Sequence, residues 1–199
     1  MKNKRQSTIT LVVGKNGTGK STLVYNMIKG MKQRALVVTL NGAPEIWQKY
    51  PIIDPRNKKE MASFKGIRQV WYARLEAETL QHIFDNFRDG GLVFDDCRAY
   101  LDANINNDIY FRRLLIDFRH KMLDLFFVAH APPDIPRGVW RFNYTIWIGA
   151  TDAAFDKNQL KTFSADRVIE IQRQVNQAYK KAEMKGDESH YGIFKWVKP

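Results

Sequence analysis

A three-layer α/β fold, with a mainly parallel sheet carrying helices on both faces, is the architecture predicted by this 199-residue sequence. Three observations carry that expectation. Short, almost wholly apolar runs of strand length recur along the chain, and such runs suit parallel strands buried on both faces. Segments with apolar residues at helical spacing lie between them. A glycine-rich loop, Gly14-Lys15-Asn16-Gly17-Thr18-Gly19-Lys20-Ser21, joins the first apolar run to the first helix without a gap. The length suits a single domain over residues 1–199.

Taken in order, Thr8 to Val13 reads as the first strand, and Thr22 to Ile28 as the helix beyond the loop. Ala35 to Leu40 is a continuous apolar run, expected to be a buried parallel strand. From Asn41 to about Lys65 the chain turns polar and is punctuated by Pro44, Pro51 and Pro55. That pattern predicts a long connection with one helical turn. Ile67 to Tyr72 suits a further strand. Glu76 to Phe87 sets Leu80, Ile83, Phe84 and Phe87 on one helical face, and Gly90-Gly91 is expected to end that helix.

Leu92 to Asp96 is an apolar strand closing in two carboxylates. Asn107 to Met122 predicts a helix, with Tyr110, Leu114, Phe118 and Met122 as its core-facing stripe. Leu125 to Ala129 and Tyr144 to Ile148 are the next strands. A last helix from about Ser164 to Lys185 is expected to bury Val168, Ile171, Val175, Ala178 and Ala182. Tyr191 to Val197 reads as a closing strand at a sheet edge.

The loop itself is GxxxxGK[ST], the phosphate-binding signature of nucleoside triphosphatases, with a strand before it and a helix after it. Gly14, Gly17 and Gly19 are expected to supply backbone angles that a side chain would forbid, so that N–H groups turn onto phosphate oxygens. Lys20 reaches the β- and γ-phosphates as a point charge, and the Ser21 hydroxyl is placed to ligate Mg²⁺. The positive end of the following helix faces the same anion. Gly14, Lys15, Asn16, Gly17, Thr18, Gly19, Lys20, Ser21 and Thr22 are thus the expected nucleotide-binding residues, with ATP and Mg²⁺ as ligands.

Composition narrows the remaining classes. The 44% hydrophobic content excludes a mainly disordered chain, and no apolar run is long enough for a membrane span. A single cysteine, Cys97, forms no internal disulfide and fits a reducing cytoplasm. The basic start, Met1 to Gln6, runs straight into the first strand, unlike a signal peptide. Against 21 acidic residues stand 32 Lys and Arg, a net charge of +11, which points to a polyanionic partner such as DNA. Solubility, or nucleotide as the sole anionic ligand, is the plainer account of the same excess.

Asp95 and Asp96 end a strand expected to neighbour the phosphate loop, so both point toward the phosphates. Asp95 is the candidate metal residue, acting through a water, and Asp96 the candidate base for the attacking water. Solvated carboxylates capping the next segment are the alternative. His130 closes the next strand, either beside the γ-phosphate or as a hydrogen-bonded turn residue. Arg112 and Arg119 share a similar helix face. In a monomer they are surface arginines; in a ring one of them could reach the neighbouring subunit's phosphates.

From Leu92 to Pro136 the chain resembles the DNA-pumping FtsK/HerA superfamily of ATPases. The residues that carry the resemblance are the strand ending Asp95-Asp96, the helix ending Phe118-Arg119-His120, and the strand ending Val128-Ala129-His130-Ala131-Pro132. Within it, the chain looks most like the compact genome-packaging ATPases of icosahedral viruses and the zonula-occludens-toxin-like phage assembly ATPases. The resemblance spans roughly Ile9 to Ile148 and implies a RecA-like sheet and a homo-oligomeric ring around DNA. By motif position it gives His130 the polar sensor role and Arg119 the finger role. Asp96 stands where the family usually has glutamate, and His130 where it usually has an amide. With no membrane span, genome packaging at a capsid vertex, in the host cytoplasm or on the virion, is expected over membrane-bound filament assembly. A small-molecule or nucleoside kinase remains the alternative, with Arg137 and Arg141 as a lid fragment, as does a non-hydrolysing switch.

Overall fold

The computed structural model describes residues 6–31, 33–40, 44–71, 78–101, 104, 107–142, 144–160 and 163–199. Its elements are β1 (Ile9–Val13), α1 (Lys20–Met31), β2 (Ala35–Thr39), α2 (Glu45–Gln48), α3 (Lys58–Ser63), β3 (Ile67–Trp71) and α4 (Glu78–Asn86). They continue with β4 (Gly90–Phe94), α5 (Ile109–Asp117), β5 (Leu123–Ala129), β6 (Thr145–Ile148), α6 (Ala165–Met184) and β7 (Lys195–Val197). Seven strands form one sheet in the order β3-β2-β4-β5-β1-β6-β7. Every pairing is parallel except β6 with β7, where the last strand returns antiparallel along the edge.

Burial explains why these segments became strands. All residues of β1, β2, β4 and β5 are buried, because helices cover both faces. On one face Val24 and Ile28 of α1 and Trp47 of α2 pack against Val12, Val37, Val93, Phe126 and Val128. On the other, α3, α4, α5 and Val168 of α6 pack against Leu11, Leu36, Leu92, Leu125 and Phe127. The expected three-layer α/β architecture is the one found.

Register then gathers the strand ends. Val13 lies beside both Ala129 and Ile148, and Phe94 beside Phe127 and Val38. Residues one step further on, Gly14, His130, Asp95 and Thr39, therefore lie along a single edge of the sheet.

Several local expectations are corrected. The connection after β2 holds two short helices rather than one turn; Asn57 caps the second by accepting from Glu60 N at 3.2 Å. Gly90-Gly91 belongs to β4 and does not end α4, which stops at Asn86. A Cβ at Gly90 would lie 2.5 Å from the Arg34 carbonyl oxygen, so glycine serves close strand packing there. Helix α5 starts where Asp108 accepts from the N–H groups of Tyr110 and Phe111, and ends at Asp117. Met122 lies beyond it, half-exposed at φ 56°, and is no part of the stripe. In α6 the buried side chains are Val168, Gln172, Val175 and Tyr179; Ala178 is exposed because Tyr179 takes the inward position. Tyr191 lies in a 3₁₀ turn, Glu188–Gly192, before the edge strand. Met1 to Arg5, Asn41, Tyr72 and Glu76, read above as parts of the tail, connection, strand and helix, lie outside the described residues.

Candidate active site

The glycine-rich loop hangs between β1 and α1, and two of its backbone bonds fasten it to neighbours. Gly14 N donates to Ala129 O at 3.2 Å, and Lys15 N to Ala150 O at 2.6 Å. Gly17 and Gly19 have φ values of 76° and 84°, the left-handed region expected of them. Gly14 does not. Its need is space: a Cβ there would lie 2.8 Å from Thr18 Oγ1 and 3.3 Å from Gly149 Cα. Thr18 is buried, and its hydroxyl donates to Lys15 O at 2.9 Å, closing the loop from within.

Lys20 is buried, at 8% exposure, and does not face open solvent. Its Nζ donates to Lys15 O at 2.9 Å and meets His130 Nδ1 at 3.2 Å. Burial pulls its pKa down from 10.5 to about 8, against the opposing pull of the Asp95 and Asp96 charges. An ammonium only donates, so Nδ1 of His130 accepts and Nε2 carries the ring proton, facing Asp96 Oδ1 at 3.4 Å. Lys20, His130 and Asp96 thus form one polar chain from the start of α1 across the ends of β5 and β4.

Asp95 lies behind them at 5% exposure. Ser21 Oγ stands 3.2 and 3.1 Å from its two oxygens, and Trp47 Nε1 donates to Oδ2 at 2.5 Å. Burial pushes the Asp95 carboxyl above the usual range, while Trp47, Ser21 and Lys20 oppose the shift. A hydroxyl and a carboxylate converging with only oxygen donors suit Mg²⁺, which binds through few protein ligands and keeps water and phosphate oxygens in its shell. The same composition suits zinc poorly. Asp96 is different in kind: its backbone is left-handed, at φ 54°, and its side chain is half-exposed.

A cleft of about 680 Å³ opens over these groups. Asn16, Gly17, Gly19, Lys20, Ser21 and Thr22 line one side, and Thr39, Leu40 and Pro44 to Ile46 the other; Asp95, Asp96 and His130 also line it. Lys15 contributes its backbone, since its Nζ turns away to lie 4.2 Å from the Tyr179 ring centroid. Arg119 is not brought here. It is exposed between α5 and β5, at the edge where the strands begin, so the length of β5, roughly 20 Å, separates it from its own loop. Arg112 is likewise exposed.

Two contributors escaped the sequence reading. Trp47 sits in the segment read as a polar connection; Ile46-Trp47, an apolar pair among prolines and charges, was its only mark. Tyr191 was read as strand, yet its carbonyl oxygen approaches Gly19 so closely that a Cβ there would collide with it.

A strand, a phosphate loop and a helix, with a carboxylate at the end of a further parallel strand set against the loop serine, define the P-loop nucleoside triphosphatase fold. Solved structures sharpen that class. The chain superposes on the genome packaging NTPase B204 of Sulfolobus turreted icosahedral virus 2 in complex with AMP at TM-score 0.66, with 14% identity over 86% of this chain and 89% of that one. On the same NTPase in complex with sulfate the TM-score is 0.65 at 15% identity, with 98% of each chain covered. The DNA-packaging ATPase B204 of Sulfolobus Turreted Icosahedral Virus gives 0.60 at 14% identity, over 96% and 97%. No protein-family model matches the chain, and no curated protein matches it in sequence. The resemblance to genome-packaging NTPases read from the motifs is therefore borne out by the fold. Among the described residues no helix is long and apolar enough to cross a membrane.

Proposed function

We propose that this chain is a Mg²⁺-dependent ATPase that drives DNA through a homo-oligomeric ring, packaging a viral genome into a capsid. The observation that carries the reading is the meeting of Ser21 with both Asp95 oxygens beside the buried Lys20. The net charge of +11 and the likeness to packaging NTPases support DNA as the polymer moved.

In this reading Lys20 offsets the charge of the β- and γ-phosphates, and the loop N–H groups orient them. Ser21 and Asp95 would hold Mg²⁺, which when bound neutralises charge on the phosphate oxygens. Asp96 takes the proton of the attacking water as oxygen bonds to the γ-phosphorus and the bond to ADP breaks. His130 fixes the orientation of Asp96 through Nε2 and meets Lys20 through Nδ1, so it reports the γ-phosphate to both. Arg119 acts only across a subunit boundary, given its distance from its own loop.

ATP turnover without any acceptor, measured with and without DNA alongside sedimentation, tests the reading. Hydrolysis that DNA increases, in an assembled species, is expected. A kinase would instead need an acceptor, and a switch would turn nothing over. Asp96→Asn should keep Mg·ATP binding and lose most turnover, while Asp95→Asn should also lose the Mg²⁺ dependence of binding. Equal and mild effects from both would remove the carboxylates from the chemistry.

A further inference from the structure

The turn Glu188–Gly192 follows α6 and leads into β7, yet it lies on the phosphate loop. Two contacts establish this. The Tyr191 carbonyl oxygen covers Gly19, and Tyr191 Cε1 would lie 3.8 Å from a Cβ at Gly17. The residue is 52% exposed, beside the loop and not inside the core.

The site has a direction. Lys20 meets His130 at the end of β5, and Ser21 meets Asp95 at the end of β4. Both groups that engage the terminal phosphates therefore lie on one side of β1. On its other side β1 pairs with β6, which pairs with β7. A nucleoside triphosphate with its γ-phosphate at Lys20 carries its base toward that second side, where the C-terminal turn crosses Gly17 and Gly19. An exposed aromatic ring at that point offers a base a stacking surface.

We propose that the Tyr191 ring is the platform on which the base of the bound nucleotide stacks. Every base has a π face, so such a platform is tolerant of base identity, and ATP and GTP bind with similar affinity. The proposal rests on the phosphate-site reading above, and inorganic tripolyphosphate separates the two, since it needs the loop but no platform.

The test measures Kd for Mg·ATP, Mg·GTP and Mg·tripolyphosphate on the full chain and on Tyr191→Ala, Tyr191→Phe, Tyr191→Leu and Tyr191→Trp. Loss of the ring in Tyr191→Ala should weaken both nucleotides ~10-fold, a stacking contribution typical of one base on one aromatic ring, and leave tripolyphosphate unchanged. Tyr191→Phe and Tyr191→Trp should bind within about 2-fold of the parent, as retained stacking requires. If Tyr191→Ala also loses tripolyphosphate through misfolding, Tyr191→Leu against Tyr191→Trp decides: weaker nucleotide binding by the leucine variant upholds the platform, equal binding overturns it. Unchanged nucleotide affinity in a folded Tyr191→Ala overturns it as well, and tighter binding would make the turn a plug instead. A parent protein that binds neither nucleotide nor tripolyphosphate refutes the phosphate site itself.

Discussion

Replacing Lys20 by methionine should stabilise the nucleotide-free protein while ending its activity. Methionine keeps an unbranched stem in the same space but carries no charge, so it approximates the neutral lysine. The magnitude follows from the electrostatics: burial lowers the pKa of Lys20 from 10.5 to about 8. At about 1.4 kcal/mol per unit, holding this ammonium in the folded state costs about 3 kcal/mol, an upper value for the gain. In a chain of 199 residues that is a rise in melting temperature of roughly 5–10 °C.

The pH dependence is more decisive than the size. Below about 8 the ammonium is charged in both folded and unfolded chains, and the full cost is present. Between about 8 and 10.5 the unfolded chain binds the proton and the folded one does not, so the parent gains stability as pH rises. The gap between Lys20→Met and parent should therefore be widest at pH 7 and close toward pH 10. Thermal melts of nucleotide-free protein at both values check this. A variant that melts no higher than the parent at pH 7, or a gap of equal size at both, would refute the account of Lys20 as a buried charge awaiting an anion.

Gly14→Ala should destabilise by about 1–3 kcal/mol through overpacking, and Thr18→Ala should return part of that loss by removing the hydroxyl 2.8 Å from the new methyl; denaturant melts of the four proteins in this cycle measure it. Trp47→Phe keeps the ring in the core but removes the donor to buried Asp95, which should cost about 1–3 kcal/mol and weaken Mg²⁺-dependent nucleotide binding, followed by urea unfolding and by titration. DNA binding should fall steeply with salt, because each Lys or Arg contact to phosphate releases counterions; a flat salt profile in a gel or anisotropy titration would deny the charge its role. If Arg119 acts across a subunit boundary, Arg119→Ala mixed into parent protein should depress ATPase rate below a straight line against mutant fraction, whereas a straight decline would mean that each subunit works alone.

The strands were legible because burial on both faces leaves an apolar run that needs no periodicity to be seen, as in Leu36 to Val38 and Phe126 to Val128. The phosphate loop, Asp95 and His130 were legible because motif order and parallel register together deliver them to one edge. Helices α2 and α3 were not, since four or six residues are too few to show a 3.6-residue period, although Asn57 three residues before Glu60 was a readable capping pattern. Gly90-Gly91 misled because glycine is a poor strand former, and nothing in sequence reveals the Arg34 carbonyl that presses on Gly90. Trp47 and Tyr191 reach the site from 48 residues before Asp95 and from the far end of the chain, distances over which local pattern carries no information. Arg119 was marked by motif position alone, and the fold sets it at the opposite edge from its own loop.

The bond from Trp47 to Asp95 also gives the molecule an optical handle. Of its five tryptophans, Trp47 is wholly enclosed, with an exposure of 0%. Its emission should be blue-shifted relative to Trp71 and Trp196, which are 46% and 52% exposed. Any turn of the Asp95 carboxylate toward a cation changes the hydrogen bond made by that indole. The light it emits is then a dye-free record of whether the site is empty or filled, readable in stopped flow on a single turnover.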